Sequence, residues 1–227
     1  MYVRARGGPP SDTSPDDDSK GKTEAMTFFS NTKTRRRALT GAAVAGVALA
    51  GLAVTSASAD HTGRFIPKSD LPQASQYTPW TAEKPKAGLP KPMYTCIKGI
   101  IPAASSSHQI FRSDMTAEVR EIITVTKNKT EAKALAAKLR AAIANCDDKL
   151  GDVTDIDRIA RYKTADGLTL DAVYTAPEGS EYNFQLFGVG RDGKAVVVTT
   201  FGDMGQEEDA PIAAFTVTAK RALQKAF

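Results

Sequence analysis

Apolar and polar residues alternate along the C-terminal half of the chain in a way that predicts an antiparallel sheet. Two alternating stretches within residues 155–175 flank the turn signal Asp166-Gly167. A three-residue loop in which Gly167 takes positive φ best separates apolar from polar side chains. That register pairs Tyr162 with Leu170, Ala160 with Ala172 and Arg158 with Tyr174 on the apolar face, and Arg161 with Asp171 and Lys163 with Thr169 on the opposite face. We expect helices to cover the apolar face and to leave the polar face partly open.

Two further segments have a strand-like pattern. YNFQLFGVG, the turn RDG and KAVVVTTFG predict a second hairpin over residues 182–202. Residues 115–127 are rich in β-branched residues, and Val119 and Ile123 share one parity with Val125. Glu121 has the same parity, so either a bulge shifts the register there or a carboxylate points inward.

Two segments have helical periodicity instead. Asn128 followed by Glu131 forms an approximate capping box. The apolar stripe of this helix consists of Ala132, Leu135, Ala136, Leu139, Ile143 and Cys146. In the C-terminal helix the stripe is Ile212, Phe215, Ala219 and Leu223, with Asp209 as the expected N-cap and Pro211 in the first turn. The predicted fold is a single α+β domain, an antiparallel β-sheet of about five strands with helices packed on one face.

The segment that precedes this domain is rich in proline. Residues 60–92 contain six prolines and little periodicity, which predicts an extended arm before the α+β domain of residues 93–227. Trp80 lies in the arm, where it either plugs the arm into the domain or stacks against a ligand.

The first 59 residues have the features of an export leader. Residues 26–59 contain three consecutive arginines, an uncharged run over residues 38–55, and then Ala57-Ser58-Ala59. This arrangement is typical of a signal peptide cleaved between Ala59 and Asp60, although an uncleaved anchor and either the Sec or the Tat route stay open. Residues 1–25 are polar and low in complexity, which predicts a disordered extension or a chain that starts at Met26. We expect a secreted, extracellular protein.

Removal of the leader changes the charge and the redox setting. The leader holds eight of the 30 basic and five of the 26 acidic residues, so the remaining chain has a net charge of about +1. A nucleic-acid partner is therefore not expected, because it requires a basic face. Cys96 and Cys146 follow the cleavage point and are expected to form a disulfide, the alternative being two buried free thiols. The leader contains no cysteine, so neither a lipid anchor nor membrane attachment after cleavage is expected.

The sequence offers little material for catalysis. The two histidines are His61, beside the cleavage point, and His108. No nucleophile elbow, zinc-protease motif, P-loop or dinucleotide fingerprint is present, and the acidic stretch 147–157 lacks calcium-loop spacing. No metal or cofactor is therefore expected. The polar face of the sheet provides the candidate binding residues Arg161, Asp171 and Gln185.

Several features together resemble a known family. Asp70-Leu71-Pro72, Trp80, Cys96, the segment IFRSD and the helix that ends at Cys146 are similar to PknH-like extracellular sensor domains of actinobacterial receptor kinases and their stand-alone secreted relatives. The resemblance covers roughly residues 65–227. It implies an antiparallel sheet flanked by helices, a cleft for an unidentified ligand, and no established activity.

These observations lead to one functional hypothesis and two alternatives. The hypothesis is a monomeric, non-enzymatic, secreted binding or sensor-like domain that takes a small ligand or a cell-envelope component. The first alternative is a secreted hydrolase that uses His108. The second is a protein-binding secreted factor such as a protease inhibitor, which requires an exposed rigid loop or apolar patch.

Overall fold

The structure is a computed structural model of the chain. It describes residues 64–73, 78–113, 116–150, 156–162, 164, 167–176, 179 and 181–227. The predicted leader, its cleavage point at Ala59 and Asp60, and His61 lie outside the described residues.

The described residues form an eight-stranded antiparallel sheet and three helices. The strands are β1 (Thr81–Ala82), β2 (Lys86–Ala87), β3 (Ser106–Arg112), β4 (Glu118–Val125), β5 (Ile156–Tyr162), β6 (Thr169–Thr175), β7 (Asn183–Asp192) and β8 (Ala195–Met204). The helices are α1 (Lys129–Ala144), α2 (Asp147–Leu150) and α3 (Ile212–Lys225). The strand order is β1-β3-β4-β8-β7-β6-β5, and β2 also pairs with β3. The α+β class is confirmed, with more strands than the five expected because the predicted arm contributes β1 and β2 and the segment before β4 contributes β3.

Local turn chemistry explains why both hairpin predictions are correct. β5 and β6 pair in the predicted register, including Arg161 with Asp171 and Tyr162 with Leu170. Gly167 has a φ of 75°, which an L-residue adopts only with strain. The second hairpin forms as predicted, but its turn is Gly193 and Lys194 instead of RDG, because Arg191 and Asp192 still pair with β8. The predicted partner of Thr169, Lys163, lies outside the described residues.

The helices lie on both faces of the sheet, so the expectation of one covered face is wrong. Helix α1 packs on the face that carries Val173, Phe187, Val189, Val196 and Val198, which we call the α1 face. Helix α3 packs on the face that carries Leu170, Ala172, Leu186, Val197 and Phe201, which we call the α3 face. The physical reason is the valine run of β8, because a strand buried on both faces has apolar residues in succession instead of in alternation.

Aromatic side chains and a close helix contact at Gly188 shape the core of the α3 face. Phe201 contacts the rings of Trp80, Phe184 and Phe215 at centroid distances of 5.7 to 6.2 Å. Gly188 allows α3 to approach β7 closely, since a Cβ there would lie 2.8 Å from the Cβ of Ala219. The sheet and α3 are therefore held in direct contact along β7.

The proline-rich segment is fixed to this core. Phe65 and Ile66 are buried, and Trp80 is only 8 % exposed and donates a 2.7 Å hydrogen bond to the Pro72 carbonyl. The Thr218 hydroxyl of α3 donates a 2.6 Å bond to the Asp70 carbonyl. In this structure Trp80 is therefore a plug between the arm and the core.

The helix starts differ in how well they follow the prediction. Asn128 caps α1 as expected, and its side chain accepts a 2.9 Å hydrogen bond from the Glu131 amide. Helix α3 begins at Ile212 with Pro211 as its N-cap residue, so the prediction of Asp209 as N-cap is wrong. Asp209 instead ends a 3-10 turn and accepts a 2.8 Å bond from the Gln206 amide.

Glu121 is a buried carboxyl group that points into the α3 face. β4 pairs without a bulge on either side, and the Glu121 side chain is 0 % exposed. Its Oε2 accepts a 3.0 Å bond from the Ile66 amide, whereas its Oε1 has no hydrogen-bond partner within the described part of the chain. Burial raises the pKa of Glu121 from 4.5 to about 8, against the smaller opposing effects of the Ile66 amide and Lys225.

Replacement of Glu121 by Gln should change how stability depends on pH. Because the folded pKa of Glu121 exceeds the unfolded one, the parent loses free energy of unfolding as the pH rises from 4.5 to about 8, with a slope of up to about 1.4 kcal/mol per pH unit. Glu121→Gln removes this loss, so the variant should gain stability relative to the parent as the pH rises. Urea denaturation across this range checks the difference. Glu208→Gln, at an exposed site, is the control, and parallel profiles of Glu121→Gln and the parent would contradict the assignment.

Candidate functional site

A cleft of about 660 Å³ opens on the α1 face of the sheet. Its floor comes from the end of β6, the start of β7 and the end of β8, and its wall from the segment around Tyr94 and Cys96. Helix α1 contacts the opposite end of these strands, around Val189, Val196 and Val198. The cleft is therefore the part of the α1 face that α1 does not cover.

The disulfide explains why the cleft has a wall. Cys96 and Cys146 are bonded, with a Cα–Cα distance of 5.0 Å. Cys146 follows the end of α1, and Cys96 lies in the 3-10 turn Thr95–Ile97. The bridge therefore attaches the 3-10 turn to the end of α1, beside the uncovered strands. The Lys149 ammonium reinforces it by donating a 3.0 Å bond to the Cys96 carbonyl.

Tyr94 is the central aromatic residue of the wall. Its ring meets Phe187 edge to face at 5.8 Å, and the Arg120 guanidinium lies 4.5 Å from its centroid. Burial raises the pKa of the Tyr94 hydroxyl, which the side chains of Thr200 and Gln185 contact as hydrogen-bond partners. Tyr94 therefore stays neutral near pH 7 and presents a ring with a polar tip.

Gln185 occupies the floor because residue 202 is glycine. A Cβ at Gly202 would lie 2.5 Å from the Gln185 Oε1, so the amide lies directly over the glycine. The Gln185 Nε2 donates one long bond of 3.4 Å to the Leu186 carbonyl. An amide has two N–H donors and two acceptor lone pairs, so the Tyr94 contact and this long bond leave part of its hydrogen-bonding capacity for a ligand.

The charged groups at the cleft pair with one another. Arg112 Nε lies 2.9 Å from a Glu118 oxygen, and the same guanidinium pairs with Glu83. The Asp203 carboxylate accepts a hydrogen bond from Thr116. The Ser113 hydroxyl also lines the cleft and is a buried group without a partner among the described residues.

The structure separates the three residues that were predicted to bind a ligand. Gln185 lines the cleft, whereas Arg161 and Asp171 do not. Asp171 is 1 % exposed and forms an ion pair with Arg161 at 2.6 Å on the α1 face. The expectation that this face is open at Asp171 is wrong, because α1 brings Arg140 over the pair, with the Arg140 carbonyl 3.3 Å from an Arg161 nitrogen.

Tyr94, Phe187 and Gly202 belong to the site although sequence reasoning did not select them. Tyr94 is two residues before Cys96, so its proximity to the predicted disulfide was an available signal. Phe187 shares the parity of Gln185 along β7. No local signal indicated the role of Gly202, which depends on pairing with Gln185 across the strands.

His108 does not form the arrangement that the hydrolase hypothesis requires. It lies inside β3, is 6 % exposed, and its Nδ1 is 3.0 Å from the Gly88 carbonyl. Burial lowers the pKa of His108, which keeps the ring neutral near pH 7. His108 is not among the residues that line the cleft. In the part of the chain that is described, no group of three or more His, Cys, Asp or Glu side chains is arranged to hold a metal ion.

Comparison with solved structures gives a weak structural likeness. No protein-family model and no curated protein matches the chain. The extracellular domain of PknH from Mycobacterium tuberculosis is similar in structure, with a TM-score of 0.42 and 9 % sequence identity over 70 % of this chain and 98 % of that one. Family membership does not follow from a likeness of this size. Within the described residues, no helix has the length and apolar character needed to cross a membrane.

The close contact of Gly202 with Gln185 predicts an asymmetric response to two glycine substitutions. Gly202→Ala meets the flexible end of a side chain, which can move into the cleft, so it should cost less than about 1 kcal/mol. Gly188→Ala meets the Cβ of Ala219 on α3 at 2.8 Å, so it should cost about 1 to 3 kcal/mol.

Urea denaturation measures both costs, and NMR reports the Gln185 side-chain amide directly. We expect this amide signal to shift in Gly202→Ala and to stay unchanged in Gly188→Ala. An unchanged Gln185 amide signal in Gly202→Ala would contradict the described contact.

Proposed function

We propose that this chain is a secreted, non-enzymatic binding or sensor-like domain whose cleft takes an uncharged amphipathic ligand, such as a small molecule or a cell-envelope fragment. The observation that carries the proposal is an aromatic wall beside two polar groups that have unused hydrogen-bonding capacity. Tyr94, whose ring packs against the fully buried Phe187, supplies the apolar contact, and the Gln185 amide and Ser113 hydroxyl supply the polar ones. Ligand pockets typically combine a mainly apolar lining with a few placed polar groups.

The charges at the cleft favour a ligand without net negative charge. Arg112 is already paired with Glu118 and Glu83, and Arg120 is engaged by Tyr94 and Glu118. An anion would have to displace one of these carboxylates to reach a guanidinium. An uncharged ligand instead binds through Gln185 and Ser113 and leaves the ion pairs intact.

The extracellular location is part of the same proposal. It is supported by the leader-like residues 26–59 and by the Cys96–Cys146 bridge, because disulfides persist mainly in oxidising compartments. A ligand in that setting is dissolved outside the cell or belongs to its envelope.

NMR titration with phenyl β-D-glucoside tests the cleft proposal, since this uncharged probe has one aromatic and one hydroxyl-rich end. At millimolar concentration it should shift the signals of Gln185, Ser113 and Tyr94, and Gln185→Ala should weaken binding about tenfold through loss of its hydrogen bonds. The 6-phosphate of the same glucoside should bind more weakly.

Gln224→Ala, at an exposed position of α3, is the matched control and should bind like the parent. Equal binding by Gln185→Ala and Gln224→Ala, tighter binding of the 6-phosphate at the cleft, or signals that move only outside the cleft would each contradict the proposal.

A further inference from the structure

We propose that Arg140, Arg161 and Arg191 form a second site, distinct from the cleft, that binds a phosphoryl group. The three residues, which we call the arginine cluster, come from α1, β5 and β7. The β7 member lies six residues from Gln185, a separation of about 20 Å along an extended strand. The cluster is therefore independent of the proposed ligand cleft.

Arg140 is held in place by backbone carbonyls instead of carboxylates. Its Nη2 donates bonds of 2.7 Å to the Gly167 carbonyl and 3.3 Å to the Val189 carbonyl. Its Nε is buried and has no partner within the described residues. The guanidinium is thus fixed in position while it keeps its full positive charge.

Alternation along β7 places Arg191 on the sheet face that Arg140 contacts. Arg191 follows Val189 by two residues in β7, so both side chains lie on the α1 face. Gly167, which accepts a bond from Arg140, is also next to Arg191, because a Cβ on Gly167 would lie 3.5 Å from the Arg191 carbonyl. Arg140 and Arg191 therefore share the same backbone neighbours.

Arg161 completes the cluster from the other side. Its Nη2 lies 3.3 Å from the Arg140 carbonyl, and its guanidinium makes two contacts with the buried Asp171 carboxylate, at 2.6 and 3.3 Å. Asp171 offsets one positive charge. No other carboxylate of the described residues forms an ion pair with Arg140 or Arg191. The three arginines and Asp171 together carry a net charge of about +2.

The lowered pKa of Arg140 agrees with an excess of positive charge in the cluster. Partial burial lowers the pKa of Arg140, the charges of Arg161 and Arg191 lower it further, and Asp171 acts in the opposite direction. A bound anion would relieve this repulsion. A guanidinium group matches the geometry of phosphoryl oxygens and binds them through paired hydrogen bonds. Three guanidinium groups offer more N–H donors than the two oxygens of a carboxylate can accept, which favours a phosphoryl group over a carboxylate.

The phosphoryl group can come from a free phosphate or from a lipid headgroup, and titrations at constant ionic strength distinguish these sources. Inorganic phosphate and vesicles of phosphatidylglycerol in phosphatidylcholine are the two probes. NMR signals of the Arg140, Arg161 and Arg191 side-chain Nε groups should shift with at least one of them. Response to phosphate identifies a free phosphate, and response to vesicles alone identifies a headgroup.

Arg140→Gln and Arg191→Gln should each weaken that binding about tenfold, whereas Lys138→Gln, an exposed change of the same charge on α1, should not. Both arginine substitutions leave the buried Arg161–Asp171 pair intact, and within the described residues the Arg191 side chain forms no ion pair that its loss would break. The Gln185 amide signal should stay unchanged, which keeps the test separate from that of the cleft.

Equal weakening by Lys138→Gln, retained affinity in both arginine variants, or arginine Nε signals that respond to neither probe would overturn the proposal.

Discussion

The rest of the site depends on the disulfide between Cys96 and Cys146. It joins residues 50 positions apart, and in the chain-entropy model a loop of this length stabilises the folded state by up to about 4 kcal/mol. Its positional effect matters as much, because it attaches the 3-10 turn Thr95–Ile97 to the end of α1. The turn carries Tyr94 over Phe187 and so converts an uncovered part of the sheet into a walled cleft.

The α3 face of the sheet mainly stabilises the fold, and the α1 face carries the two proposed binding sites. The α3 face is closed by α3, by the arm at Phe65 and Ile66, and by Trp80, and it tolerates the buried Glu121 at a cost that grows with pH. Helix α1 covers only part of the α1 face, so the cleft lies at the uncovered end and the arginine cluster lies at the end that α1 contacts. The α3 face supplies a buried aromatic core, and the α1 face keeps side chains with unused hydrogen-bonding capacity.

Local features were predictable from the sequence, and features that depend on distant contacts were not. The register of Arg161 with Asp171 followed from alternation and the Gly167 turn, and the α1 cap followed from Asn128 and Glu131. The coverage of both faces was missed because the expectation relied on the first hairpin, although the valine run of β8 indicated it. The position of Tyr94 depends on the link from Cys96 to Cys146, 50 positions away. The inward Glu121 carboxyl, which the sequence left open against a bulge, is hydrogen-bonded by the Ile66 amide, 55 positions away.

Hydrogen exchange of the parent and of the double variant Cys96→Ser/Cys146→Ser is the direct measurement of whether the disulfide holds the cleft wall. In the double variant we predict faster amide exchange in residues 93–101 and at the end of α1, because the 3-10 turn is no longer attached there. Protection in the centres of β7 and β8 should persist, since α3 and the aromatic core still cover them. Unchanged protection of residues 93–101, or a uniform loss of protection throughout the sheet, would contradict this role of the disulfide.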